Sequence, residues 1–349
     1  MPDISKINAL DIGSVSKVDG LAKASILDID GVAVPLVAPP LDTYTSAIAA
    51  YSVRLLRTAY TGVAMRVRRD TAGGTGDDDE ADIAFDSGVI SLDSAISNAS
   101  AGVTATTLGQ FLNVGTVGGT TYTNPDSLSG TASCFVDEWK DQSGNANHTS
   151  QATFASQPQI HSGTVNTDLI TENGKPAVLF DGTDDTLTRS TSDSITGFVS
   201  LFTVGTSDNL APILPNNARS LFSIDTTVTN GQRRANIIWN GGAGTNYYHY
   251  TSVYGANNQI ASATVDTQYL HSSIFDTVGN ESDGAIDGGT LVNFSGTINT
   301  MSNYDILVGT SSAAENWSGY IQEIIAYKLD QDTNRSGIET NLNSYFSIF

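Results

Sequence analysis

From residue 80 to residue 330 the apolar segments are short, and clusters of Gly, Asn, Asp or Ser separate them. The segments at 177–180, 198–204, 237–239 and 306–308 are apolar or alternate apolar with polar, and 320–327 is the longest of the set. Such runs bounded by turn formers are the pattern of strands, because a strand buries alternate side chains and must reverse every few residues. Many of them in series predict an antiparallel β-sandwich. The composition supports one: 39% of residues are hydrophobic, which excludes a disordered chain, and 33 glycines serve the turns.

Two stretches depart from this pattern. In 45–56, Ile48, Tyr51 and Leu55 fall at helical spacing behind Thr45 or Ser46 as an N-cap. Near the end, Asp332 or Thr333 caps a second expected helix, with Ile338, Leu342 and Tyr345 on one face. The body therefore reads as mainly β with two short helices. Between them, 64–69 alternates as a strand. It holds Arg66, Arg68 and Arg69, which with Arg54 and Arg57 make five of the sixteen basic residues. The acidic run Asp77, Asp78, Asp79, Glu80 and Asp82 follows, expected as a solvated loop, with chelation of calcium as the alternative.

The formal charge of −21 excludes an electrostatic nucleic-acid binder, which needs clustered Lys and Arg. It equally disfavours an anionic membrane surface, and no apolar run approaches the ~20 residues that span a bilayer. The start of the chain lacks the apolar core of a signal peptide. Cys134 stands alone and reads as a small buried hydrophobe, so no disulfide framework is expected. His148, His161, His249 and His271 lack zinc-ligand spacing, and the expected metal count is none. Glycine-rich phosphate loops and nucleophile-elbow motifs are also missing.

The first 40 residues follow a different rule. Residues 4–12, 15–23 and 26–34 repeat at an interval of eleven: Ile4, Val15 and Ile26 align, as do Ile7, Val18 and Ile29. Asn8, Asp19 and Asp30 align next, followed by Ala9, Gly20 and Gly31, the residue types of tight turns. One such unit cannot bury its apolar face alone, so it needs neighbours or a partner. Residues 1–40 are therefore expected to be an extended arm for attachment or oligomerisation, a trimer being the expected assembly. The arm ends in the stiff segment 37–40. Residues 41–349 form the head.

Candidate ligand-binding residues fall in three places. Trp239, Asn240, Tyr247, Tyr248 and Tyr250 combine rings that pack on a pyranose with groups that orient its hydroxyls, against ordinary cross-strand packing as the alternative. Asp141, Gln142, Asn145, Asn147 and His148 either hold calcium or a sugar hydroxyl, or pin a loop across the sandwich; the pinned loop is the favoured reading. Asp184 and Asp185, after Phe180-Asp181-Gly182, pose the same choice, with a hairpin turn as the structural alternative.

Residues 50–62 and 65–69 resemble the opening of the α-L-arabinofuranosidase B catalytic domain. The segment 139–148 (WKDQSGNANH) resembles that family's IYDQSGNGNH stretch, and Asn173-Gly174-Lys175-Pro176-Ala177 with Phe180-Asp181-Gly182 resembles the strand pair that follows. The segment 317–327 and the final helix resemble the close of laminin-G-like, concanavalin A-type jelly rolls. The resemblance covers most of 43–349 and implies that fold. It also implies two catalytic carboxylates, one in the central strands and one in a Gly-Gly-Asp-Asn turn, ~5–5.5 Å apart in a retaining enzyme. Here the turn reads Val308-Gly309-Thr310-Ser311, and no Asp or Glu lies between Thr226 and Val265. From the motifs alone, catalytic residues are expected to be none and hydrolysis is not expected. The arm resembles the first units of bacteriophage virion proteins. Together these features imply a virion appendage (a capsid decoration, head fibre or tail adhesin) made in the bacterial cytoplasm. It would dock on other virion proteins and display a head toward host surface glycans. An arabinofuranosidase-like hydrolase and a freestanding lectin are the alternatives.

Overall fold

The computed structural model describes residues 37–349 except 129, 209–217, 227–232, 241–246, 254–255, 296–297 and 312–314, and six two-residue strands within 1–36; for those strands and for 233–240, 247–253 and 256–257 it describes the backbone alone. The head is an antiparallel β-sandwich. Its main strands are β1 (Ala47–Ser52), β2 (Met65–Asp70), β3 (Glu80–Ile83), β4 (Ser133–Trp139), β5 (Gln159–Ser162), β6 (Val178–Asp181) and β7 (Leu187–Ser190). They continue with β8 (Phe198–Ser207), β9 (Ala218–Asp225), β10 (Arg233–Asn240), β11 (Tyr247–Val253) and β12 (Ala256–Ala263). The last are β13 (Gln268–Asp276), β14 (Glu281–Ile286), β15 (Val292–Ser295), β16 (Asp305–Val308) and β17 (Ser318–Tyr327). Among the described residues the α-helices are α1 (Pro40–Thr43), α2 (Leu108–Leu112) and α3 (Asp332–Phe346); only α3 matches an expected helix, and none is long and apolar enough to cross a membrane.

One sheet runs β12-β11-β10-β9-β16-β7 and continues through the short strand Thr149–Ser150 to β4, β2 and β3. The other runs β15-β14-β13-β8-β17. The far edge of β17 is shared: β6 pairs with its first half and β1 with its second. Strand β4 joins the layers, since Ser133–Phe135 pair with β5 while Glu138 and Trp139 pair with Ser150 and Thr149. Apolar side chains from both sheets, among them Leu201, Phe275, Ile324, Phe222, Ile306 and Val308, are buried in the core.

Every residue of β8 from Val199 onward is buried. Helix α3 packs against the neighbouring β13, where Ser272 Oγ donates to Glu339 Oε1 at 2.7 Å, and its Ile338, Leu342 and Phe346 are buried. Each such side chain contributes about 1.5–3 kcal/mol. The helix begins where the spacing predicts. Its N-cap position is Gln331, without a side-chain cap bond; Asp332 lies inside the first turn, where its charge favours the helix dipole.

The helix expected over 45–56 is corrected: Ala47–Ser52 is β1. Ser46 sits at φ +70°, a left-handed conformation that blocks helical continuation. Most of β1 is buried, so its sequence lacks the period of two that marks a half-exposed strand. The segment 37–40, expected as a stiff linker, is fastened to the head. Asn341 Nδ2 donates to the Ala38 carbonyl at 2.8 Å, and Pro40 and Leu41 are buried. In the arm, three hairpins share one register: Ile7 pairs with Leu10, Val18 with Leu21, and Ile29 with Val32. The expected contacts of Ile4, Val15 and Ile26 lie outside the described residues.

Candidate functional site

The loop after β4 is built around a buried carboxylate. Asp141 Oδ1 accepts from the backbone N–H of Ala50 and of Ser143, each at 2.8 Å. Its Oδ2 accepts from Ser143 Oγ at 2.7 Å and from the Asn147 N–H at 3.0 Å. Gln142 Oε1 accepts from the Leu56 N–H at 2.8 Å, and its Nε2 donates to the Arg54 carbonyl at 3.0 Å. Asn145 and Asn147 donate to the carbonyls of Ala47 and Ile48, each at 2.8 Å. His148 Nδ1 accepts from the Asp141 N–H at 2.9 Å, and burial lowers the pKa of that imidazole, favouring its neutral acceptor form. Both Asp141 oxygens are thus committed to holding the loop against β1.

The acidic run after β2 is not a free solvated loop. Arg66 binds Glu80 at 2.7 Å and Asp82 at 3.0 Å, Arg68 binds Asp78 at 2.7 Å, and Arg69 binds Asp79 at 2.6 Å. Arg69 is 1% exposed and also donates to the carbonyls of Gly76 and Phe111. Asp77 caps its own turn by accepting from the N–H of Thr71 and of Gly73, which lowers its pKa. Four of the five acids therefore neutralise the arginine cluster. The signal was present in the sequence, where basic 66–69 and acidic 78–82 are complementary strands of one hairpin.

Among the described residues, one group brings three metal-ligating side chains together: Asp181, Asp184 and Asp185, with one oxygen of each within 4.8 Å of the others. Gly182, at φ +76°, turns the chain here. Asp181 Oδ1 accepts from the Thr183 N–H at 2.7 Å, Asp184 Oδ2 from Ser156 Oγ at 3.0 Å, and Asp185 Oδ2 from the Asp181 N–H at 2.9 Å. Asp185 is 6% exposed; burial, with the charges of Asp181 and Asp184, pushes its pKa up to about 7. Calcium takes about 6–8 oxygens, twice or more what three monodentate carboxylates supply. A buried carboxyl whose pKa is raised toward neutrality has instead the electrostatics of a general acid.

Parts distant in sequence close around this turn. Asn316, in the loop between β16 and β17, donates to the Thr183 carbonyl, and Arg219 at the start of β9 donates to the Asn316 carbonyl at 3.1 Å. Thr310 Oγ1 donates to Asn316 Oδ1 at 2.7 Å, and Ser311 Oγ to Glu315 Oε2 at 2.8 Å. This is the loop where the family resemblance places an acid. Glu315 lies there, a few residues beyond the motif position, and is 4% exposed.

The structure brings the aromatic candidates together on adjacent strands. Trp239 pairs with Tyr248, Ile237 with Tyr250 and Asn240 with Tyr247. The side chains of these residues lie outside the described set. They are separate from the 141–148 loop in the strand order.

No protein-family model matches the chain, and no curated protein matches it in sequence. Solved structures do. An arabinofuranosidase complexed with arabinofuranosyl-α-1,2-xylobiose superposes with a TM-score of 0.55 at 14% identity, over 88% of this chain and 65% of its own. A GH54 α-L-arabinofuranosidase soaked with a cyclic sulfate inhibitor gives the same score and coverage at 13% identity. So does a GH54 variant soaked with 4-nitrophenyl α-L-arabinofuranoside. The chain thus spans less than two thirds of the length of these proteins, and the likeness is one of fold. It corrects the expectation that hydrolysis is excluded: this is a fold that arabinofuranosidases use.

Proposed function

We propose that the head handles carbohydrate, as a glycan-binding or glycoside-hydrolase-like β-sandwich. The observation that carries this reading is the fold shared with arabinofuranosidases over 88% of the chain. The strand register refines it. Trp239, Tyr248 and Ser262 form one row across β10–β12, and Ile237, Tyr250 and Gln259 the next. Gln259 and Ser262 are exposed, whereas Asn258 donates to Ser282 Oγ on the opposite sheet at 2.9 Å. By register, Trp239, Tyr248 and Tyr250 share these two rows, and Asn240 and Tyr247 take alternate positions. This set of residue types suits a sugar, since a ring packs on C–H groups while amides and hydroxyls orient its hydroxyls.

Incubation with 4-nitrophenyl α-L-arabinofuranoside, alongside a glycan array, tests the reading. Release of 4-nitrophenol that is lost in Asp185→Asn or Glu315→Gln supports hydrolysis. Retention of a glycan without turnover supports a binding module. Absence of both rejects the proposal.

A second reading concerns the arm. Three hairpins in one register, leading into a head fastened at Ala38, favour an attachment segment. With the resemblance to phage virion proteins, we infer a virion appendage that other virion proteins hold and that meets host glycans. Removing residues 1–36 and finding unchanged incorporation into particles would sink it.

A further inference from the structure

We propose that the arm assembles with the arms of further copies of this chain, a step independent of what the head binds. Each hairpin has only two paired positions on each strand. Isolated two-stranded hairpins are marginal at best in water, and these are far below that size. They nevertheless place one apolar pair at the same register position every time: Ile7 with Leu10, Val18 with Leu21, Ile29 with Val32. The pairs recur at the eleven-residue interval of the sequence, so each of the three units offers the same pair.

A partner that meets all three units must carry the same interval, and a second copy of the arm carries it by construction. Repeat units of this kind gain a core only when neighbours supply it. Charge offers little opposition, since residues 1–36 hold three Lys and five Asp, a net −2.

Sedimentation velocity on the full chain at micromolar concentration tests this, together with a triple variant Ile7→Ser/Val18→Ser/Ile29→Ser and a conservative one, Ile7→Val/Val18→Ile/Ile29→Val. The expected result is a multimer for the native chain and the conservative variant, and a monomer for the serine variant with an unchanged melting temperature of the head. A monomeric native chain overturns the proposal. So does a serine variant that stays multimeric, or one that loses assembly only as its head melts earlier, because either places the interface in the head.

Discussion

Asp185 illustrates how one buried acid links stability to pH. Its carboxyl ordinarily titrates near 3.8 and is raised to about 7 in the fold. Such a group favours the folded state most below its unfolded pKa, and that contribution is lost as pH rises through about 7. Asp185→Asn keeps an oxygen to accept the Asp181 N–H and removes the charge. It is expected to stabilise the head on the order of 1–3 kcal/mol at pH 8 and little at pH 4, as read by thermal melts at the two pH values. A calcium-dependent rise in the native protein's melting temperature at pH 8, lost in Asp184→Asn, would instead mark a cation site. Arg54 is the opposite case. It is 2% exposed, binds the fully buried Glu323 at 2.7 Å and lies 4.4 Å from the Tyr345 ring centroid. Arg54→Ala leaves Glu323 charged and unpaired, and a loss of about 3–5 kcal/mol is expected in urea denaturation. Neither environment is legible in the sequence. Arg54 and Glu323 meet only because β1 and β17 pair, and Asp185 is buried by loops far from it in the chain.

Among the elements, the loop from Asp141 to His148 shows how a motif becomes structure. Four hydrogen bonds converge on one carboxylate, and the side chains of Asn145 and Asn147 reach the first two carbonyls of β1. Asp141→Ala strands those donors and is expected to cost about 3 kcal/mol or more; Asn145→Ala, nearer the surface, about 1. Limited proteolysis at 141–148 would show the first variant cut faster than the second. The strands were readable here because turn formers bracket them, and β2, β6, β8, β16 and β17 fall within a few residues of their apolar segments. Strand β1 was not, for a physical reason: buried on both faces and preceded by a left-handed Ser46, it offers helical spacing by coincidence. The ion pairs between 66–69 and 78–82 lay within reach of the sequence, since complementary charges flank one short hairpin. The aromatic rows did not, because register decides which residues align across β10–β12.

For the whole molecule, the arm and the head divide the chemistry. The head has its own core, and among the described residues Asn341 ties Ala38 to it. Removal of residues 1–36 is therefore expected to leave the calorimetric melting temperature of the head unchanged within about 1 °C, given that surface changes away from core contacts fall within about 0.5 kcal/mol. A larger shift would mean that the arm packs on the sandwich. The pairing of β1 with β17 carries a consequence in time rather than in space. Ser52 lies opposite Glu323, and Arg54 has no buried partner until that glutamate arrives. During synthesis, the first strand of the sandwich waits unpaired until almost the whole head has been made. Contacts so distant along the chain make closure slow, and they hold an apolar strand open to wrong partners meanwhile. A ribosome stalled before Tyr327 would carry a head that cannot shut, and pulse-labelled protease resistance should appear only once β17 has emerged.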